Sequence, residues 1–404
     1  MMSENAHIPK VILKKGREKS VLMHHPWIFS GAIEKIEGRI SAGNTAEVYS
    51  SNGEKLGAGA YSPHSQIRLR LWSFQPEELI NEAFIKKKIN AAIEYRKKLD
   101  LFNHNGACRL IFSESDGLPG LIVDKYASFL VCQFLSVGVV YWKETIIDGL
   151  IESIRPVGIY ERSDSEVIQK EGLKRRSGLL WGKEPPHQIE ISENDINFLV
   201  DIRNGHKTGF YLDQRNNRRS ILPYVKDKEV LNCFSYSGGF GIYALEGGAK
   251  FITQVDSSAE HLKLASDICH QNGFDESKIH YEQADVFQLL RQYEGSGRKF
   301  DLIILDPPKF ITSSKSINSG SRGYKDINRL AMKILDDNGI LFTFSCSGLL
   351  QRDLFQKIIA DAAVEAGKTV RIISELSQSP DHPIALNFPE SRYLKGLIGA
   401  ISNR

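Results

Sequence analysis

Two short stretches hold the residues best suited to chemistry in this 404-residue chain: Asp306-Pro307-Pro308-Lys309-Phe310 and Phe344-Ser345-Cys346-Ser347-Gly348. The run Phe300 to Leu305 before the first reads as a fully buried parallel strand. Two prolines cannot continue a ladder, so the strand stops and the chain turns. Asp306 is left at the carboxyl end of a central strand, where open α/β sheets bind ligands. Cys346 ends the next apparent strand, Ile340 to Phe344. If these strands are neighbours, carboxylate and thiol face one crevice. A cysteine at a strand end is either a small buried hydrophobe or a nucleophile. Its serine and glycine neighbours point to an exposed turn. A thiolate there suits methylation at carbon 5 of a pyrimidine, because that carbon becomes nucleophilic only after a group adds to carbon 6.

Further candidates lie upstream. Asn232-Cys233-Phe234-Ser235-Tyr236-Ser237-Gly238-Gly239-Phe240-Gly241 is a glycine-rich turn after a strand, which lets a ligand approach the backbone. Gly239 to Ala244 also fits the dinucleotide pattern GxGxxA, but it starts four residues after Phe234 rather than at the strand end. Asp256 ends the second strand and could accept hydrogen bonds from ribose hydroxyls. Asp285, after the third, could meet an adenine amine. Each could instead cap a helix. Residues 203–219 mix polar, aromatic and basic side chains. They read either as a helix start capped by Asp213, or as a lip over a cofactor with Arg215 near its carboxylate.

From residue 189 strands and helices alternate. The strands are Val230–Phe234, Phe251–Val255, Ile279–Gln283, Leu302–Leu305, Ile340–Phe344, Val370–Ser374 and Leu397–Ala400. That order predicts a doubly wound α/β (Rossmann-like) parallel sheet. A proline-rich loop, not a helix, precedes the last strand, so it should enter antiparallel. Class I methyltransferases, which use S-adenosylmethionine (SAM), are built this way. Residues 76–188 read as an α+β middle domain, with one helix over 77–102, a hairpin over 121–135 and a linker at 182–186. The helix pairs an apolar stripe with a basic face that includes Arg96. Residues 1–75 read as a small β-barrel with strands at 11–13, 45–49 and 67–71. His24 to Gly31 resembles the opening of PUA domains, small RNA-binding barrels, with Trp27 and Phe29 in the core. Lys14, Lys15, Arg17 and Lys19 lie just before it and could position phosphates.

Hydrophobic content is 41%, charged content 25% and net charge +3, an ordinary globular composition that does not by itself announce nucleic-acid binding. The five cysteines are scattered and include no CxxC pair, which argues against a disulfide scaffold or structural zinc and suits a reducing cytosol. His24 and His25 lack a nearby third ligand, so no metal site is expected. The sequence has neither a long apolar run nor a signal-peptide core, so a cytoplasmic protein without a membrane partner is expected.

Taken together, Gly205-His206-Lys207-Thr208-Gly209-Phe210-Tyr211-Leu212-Asp213-Gln214-Arg215, the 232–240 turn, Asp306 to Phe310, Arg322-Gly323-Tyr324-Lys325-Asp326-Ile327-Asn328 and Phe344 to Gly348 resemble the RlmI type of bacterial large-subunit ribosomal RNA methyltransferase. The resemblance covers essentially the whole chain. It implies a PUA domain, an α+β middle domain and a class I methyltransferase domain that makes 5-methylcytosine in 23S rRNA or a large-subunit precursor. By that resemblance Cys346 attacks carbon 6 and Asp306 binds the base. SAM is surrounded by Arg215, Phe234, Ser235, Tyr236, Gly238, Asp256, Ser257, Asp285, Asp306 and Pro307. Lys14, Arg17, Lys207, Lys309, Arg322 and Lys325 contact RNA, and Tyr324 stacks on it. Many 5-methylcytosine enzymes carry a second cysteine after the fourth-strand proline. Here Pro308-Lys309 stands there, so Cys346 would work alone. A homodimer is compatible with the sequence. Guanine methylation of ribosomal RNA and a non-catalytic RNA-binding module are the competing readings.

Overall fold

The structure is a computed structural model and describes residues 8–164 and 167–403. The chain forms two compact units. One holds the residues up to Glu193 together with Val200–Leu212 and Pro380–Ser391; the other holds Asn194–Leu199, Asp213–Ser379 and Arg392–Arg404.

The first unit contains a six-stranded sheet and a five-stranded sheet. Val11, Leu13, Ile28, Ala46, Val48, Leu69 and Leu71 fill the core of the six-stranded one. Ile28, not its neighbours, points inward: Phe29 is exposed and Trp27 half-buried. Expecting both aromatics in the core placed this three-residue strand on the wrong face, because side chains alternate. Trp27 Nε1 donates to Glu114 at 2.7 Å instead. His24 lies in a turn, in the left-handed region at φ 59°.

The middle-domain helix begins later than Pro76 predicts. It runs Glu82–Lys98, and Asn81 caps it by accepting from the Phe84 N–H at 2.9 Å. Ile85, Ile89, Ala92 and Ile93 are buried, as their spacing requires. Arg96 departs from the basic face and is fully buried. It donates to the Arg109 carbonyl, the Asp381 carbonyl and the Asp116 carboxylate. Nearby, Arg109 grips Asp124 with two 2.8 Å bonds, and Thr208 donates to the same carboxylate. These pairs tie residues 200–212 and 380–391 into the unit.

The second unit is built on the predicted seven-stranded sheet. Its strands are β1 Glu229–Cys233, β2 Phe251–Asp256, β3 Ile279–Gln283, β4 Phe300–Leu305, β5 Leu335–Ser345, β6 Lys368–Ser377 and β7 Lys395–Asn403. The order is β3-β2-β1-β4-β5-β7-β6. The first five strands are parallel, and β7 runs antiparallel to both β5 and β6. Helices α1 Gly239–Glu246, α2 Ala259–Gln271, α3 Val286–Ser296, α4 Ile317–Ile334 and α5 Arg352–Glu365 connect the strands. Leu302 to Leu305 are wholly buried, the pattern of a central strand covered on both faces. Helix α4 buries Tyr324, Ile327, Ala331 and Ile334, one stripe at helical spacing. Among the described residues no helix is long and apolar enough to cross a membrane.

Candidate active site

The parallel strands end along one edge, and two turns there carry most of the candidate residues. The first follows β1. Phe234, Tyr236 and Gly238 all take positive φ, 58°, 48° and 75°. Two non-glycine residues in this conformation cost roughly 1–3 kcal/mol each, so surrounding contacts must hold the turn. Asp256 supplies one. Its Oδ2 accepts from the Tyr236 N–H at 2.9 Å, and its Oδ1 accepts from the Ser258 N–H at 3.0 Å. The Ser235 N–H adds a 2.9 Å bond to the Val255 carbonyl.

The glycines here are required by packing. A Cβ on Gly241 would lie 2.1 Å from the Gln254 amide nitrogen, and one on Gly238 would lie 2.8 Å from Ala265. Gln254 cannot yield, because it is fully buried and bonded to Asn232 (2.7 Å) and the Gly238 carbonyl (3.2 Å). Ser235 Oγ is buried with no partner among the described residues. An orphaned hydroxyl beside a mostly buried aspartate fits the polar end of a SAM molecule. Ser257 is exposed next to Asp256. Asp285 is exposed and caps α3, accepting from the Gln288 N–H at 3.0 Å.

The second turn lies where β4 and β5 end. Leu305 pairs with Thr343, so Asp306 and Cys346 follow neighbouring strands, as the sequence suggested. Asp306 is half-buried, and its Oδ2 accepts from Gln214 Nε2 at 2.9 Å. Gln214 is steadied in turn by Asn217, which also donates to the Ser377 carbonyl at 3.0 Å. Asp213 does not cap a helix. Its carboxylate accepts from the Tyr393 hydroxyl at 2.5 Å. Arg215 is nearly buried, Pro307 buried, and Pro308 and Lys309 exposed.

Cys346 is half-exposed, whereas the other four cysteines are buried. Its flanking serines are not exposed, contrary to the expected open turn; Ser345 and Ser347 are both fully buried. The Tyr324 hydroxyl explains them. It meets Ser345 Oγ at 2.9 Å and Ser347 Oγ at 3.1 Å, clamping the chain on both sides of the cysteine. Tyr324 therefore has no face available for a base, which overturns its expected stacking role. Its ring is wholly buried, and that burial pushes its phenol pKa up.

Lys395, the first residue of β7, escaped the sequence reading. It pairs with Ser345 across the ladder, is 5% exposed, and donates from Nζ to the Ser347 carbonyl at 2.7 Å. Burial depresses its pKa to about 8. A cation opening an otherwise apolar strand was the available signal.

The basic candidates scatter. Lys14 and Arg17 are exposed in the six-stranded sheet's unit, and Lys14 Nζ donates to the Gly31 carbonyl at 3.2 Å. Lys207 lies in the same unit, with its Nζ 4.5 Å from the Tyr211 ring centre. In the other unit Arg322 is exposed on α4, while Lys325 pairs with Glu365 at 2.8 Å.

Comparison with known proteins accords with this architecture. Residues 11–74 match the PUA-like domain family, and residues 164–388 match the S-adenosylmethionine-dependent methyltransferase family. A ribosomal RNA large subunit methyltransferase I from Vibrio campbellii is 52% identical, covering 96% of this chain and 98% of that protein. The protein of the same name from Aliivibrio fischeri is 50% identical at the same coverage of each. A solved structure described as a candidate methyltransferase complexed with SAH superposes with a TM-score of 0.85 at 24% identity, covering 98% of this chain and all (100%) of that one. With more than nine-tenths of its length aligned at half identity, the chain belongs to the ribosomal RNA large subunit methyltransferase I family, and its cofactor is S-adenosylmethionine.

Proposed function

We propose that this protein methylates carbon 5 of a cytosine in 23S ribosomal RNA through a covalent cysteine adduct. One observation carries the reading. The chain's half-exposed thiol, Cys346, follows β5 beside the strand that presents Asp306.

A cytosine inside a duplex is out of reach, so the target base must leave its stack. The Asp306 carboxylate accepts a hydrogen bond from the exocyclic amine, and Gln214 fixes the orientation of that carboxylate. Cys346 Sγ adds to carbon 6, and the carbon 5–carbon 6 π electrons make carbon 5 electron-rich. Bound SAM supplies an electrophilic methyl group; Ser235, Asp256 and the strained turn after β1 are the residues suited to hold it. Once carbon 5 carries the methyl group, its proton passes to a water molecule or base, the double bond re-forms and the Sγ–carbon 6 bond breaks to release the Cys346 thiolate. Lys14, Arg17 and Lys207 suit phosphate contacts in one unit, and Lys309, Arg322 and Lys325 in the other. Residues 1–75 would act as the RNA-holding module.

The test is nucleoside mass spectrometry. The protein is incubated with labelled SAM and unmodified ribosomal RNA, and the digest should contain labelled 5-methylcytidine. Labelled methylguanosine would overturn the cytosine reading and reduce Cys346 to packing, because a guanine nitrogen has its own lone pair.

A further inference from the structure

Lys395 is a buried cation without a buried anion to match. Among the described residues no carboxylate comes within ion-pair distance, and its hydrogen bond goes to a neutral carbonyl. Isolated buried charge is costly in a protein interior and is normally paired or neutralised. The ionisable groups acting on this ammonium are Cys346, which attracts it, and Lys309, which repels it. The other titratable groups at this edge are the Asp306 carboxylate at the end of β4 and the Tyr324 phenol on α4. Asp306 is engaged by Gln214, and Tyr324 by the two serines.

Geometry holds the lysine firmly. Its backbone is pinned between two strands, opposite Ser345 on β5 and Ser377 on β6. Its Nζ is bonded to the residue directly after the cysteine. A lysine so anchored cannot swing into solvent when its charge is unfavourable.

We infer that Lys395 is the charge partner of Cys346, a positioning residue whose ammonium holds the thiol as a thiolate before RNA arrives. The inference rests on the covalent role proposed for Cys346. The Sγ proton leaves to solvent water while Nζ stays protonated, giving a thiolate beside an ammonium with no further reactant. The thiolate's electron pair then forms the bond to carbon 6, and the same thiolate returns when that bond breaks. An ammonium beside Sγ lowers the pKa of the thiol, and the thiolate in turn offsets the burial that disfavours the ammonium.

The test needs neither RNA nor turnover. Iodoacetamide alkylation of the full-length protein is followed at the Cys346 peptide by mass spectrometry from pH 5.5 to 10. The wild type should show a midpoint about a unit or more below the free-thiol value of ~8.5. Lys395→Met should shift the midpoint upward by at least a unit, slowing alkylation at pH 7 roughly tenfold. Lys395→Arg should restore most of the difference. A wild-type midpoint at or above the free-thiol value would overturn the inference even if Lys395→Met failed to fold. So would superimposable profiles for wild type and a folded Lys395→Met. Failure of the covalent reading shows elsewhere, as full methylation by Cys346→Ala.

Discussion

The turn after β1 and the turn after β5 lie on the same edge of one sheet, yet they are held by different means. The first is a backbone device. Phe234, Tyr236 and Gly238 sit at positive φ, and Asp256 ties down the Tyr236 amide. The second is a side-chain device, in which the Tyr324 hydroxyl, two serines and the Lys395 ammonium surround Cys346. A backbone site tolerates many side-chain changes but fails when a Cβ has no room. A side-chain site fails when one functional group goes. On the proposed mechanism, binding and bond-making are thus supported by separate parts.

That separation can be broken first at Cys346. Cys346→Ala should lower methyl transfer by roughly a thousandfold or more while SAM affinity, measured by calorimetry, stays at the wild-type value. A parallel loss of SAM binding would mean the two turns are one site. The opposite lesion is Gly241→Ala. Its added Cβ meets the immobile Gln254 at 2.1 Å, so urea unfolding should show a loss of about 1–3 kcal/mol, with weakened SAM binding. Alkylation of Cys346 in the folded fraction should be unaffected.

The third test uses pH. Lys395 has a folded pKa near 8 against an ordinary 10.5, so between those values the unfolded chain binds more protons. The stabilising contribution is complete above 10.5 and is lost as pH falls through about 8. Wild-type stability relative to Lys395→Met should therefore rise with pH across that window, at up to ~1.4 kcal/mol per unit. A flat difference would mean the lysine keeps its ordinary pKa. The smallest effect concerns Asp285. Asp285→Ser keeps a capping oxygen but removes the carboxylate, so Tm should hold while the SAM Kd rises about tenfold, ~1.4 kcal/mol. An unchanged Kd would assign Asp285 to helix capping alone.

The sheet was legible because its strands are apolar runs separated by helical periods. Asp306 and Cys346 were legible because prolines and serines mark where those runs stop. The failures share a cause: one side chain's direction was inferred from its neighbours' chemistry. Tyr324 sits among basic residues, yet it shares a face with Ile327 and Ala331 three and seven positions on. That spacing, weighed above charge, would have placed it inside. Trp27 and Phe29 were misplaced by one step of strand alternation. Lys395 shows locally only as a cation opening an apolar strand. It reaches Cys346 only through the pairing of β7 with β5, a contact between distant parts of the chain.

The reversed direction of β7 has a consequence for the order of events during synthesis. An antiparallel strand starts where its parallel neighbours finish, so its first residue, Lys395, arrives at the edge that carries Cys346. Residues 395–403 leave the ribosome after the five parallel strands and β6. A nascent chain that has already built the β4–β5 edge still lacks the ammonium beside its exposed cysteine. On the Lys395 assignment that thiol stays protonated and sluggish toward electrophiles until β7 inserts. On that assignment the fold holds back the reactivity of its cysteine until β7 joins the sheet, when the other six strands are already there to guard it.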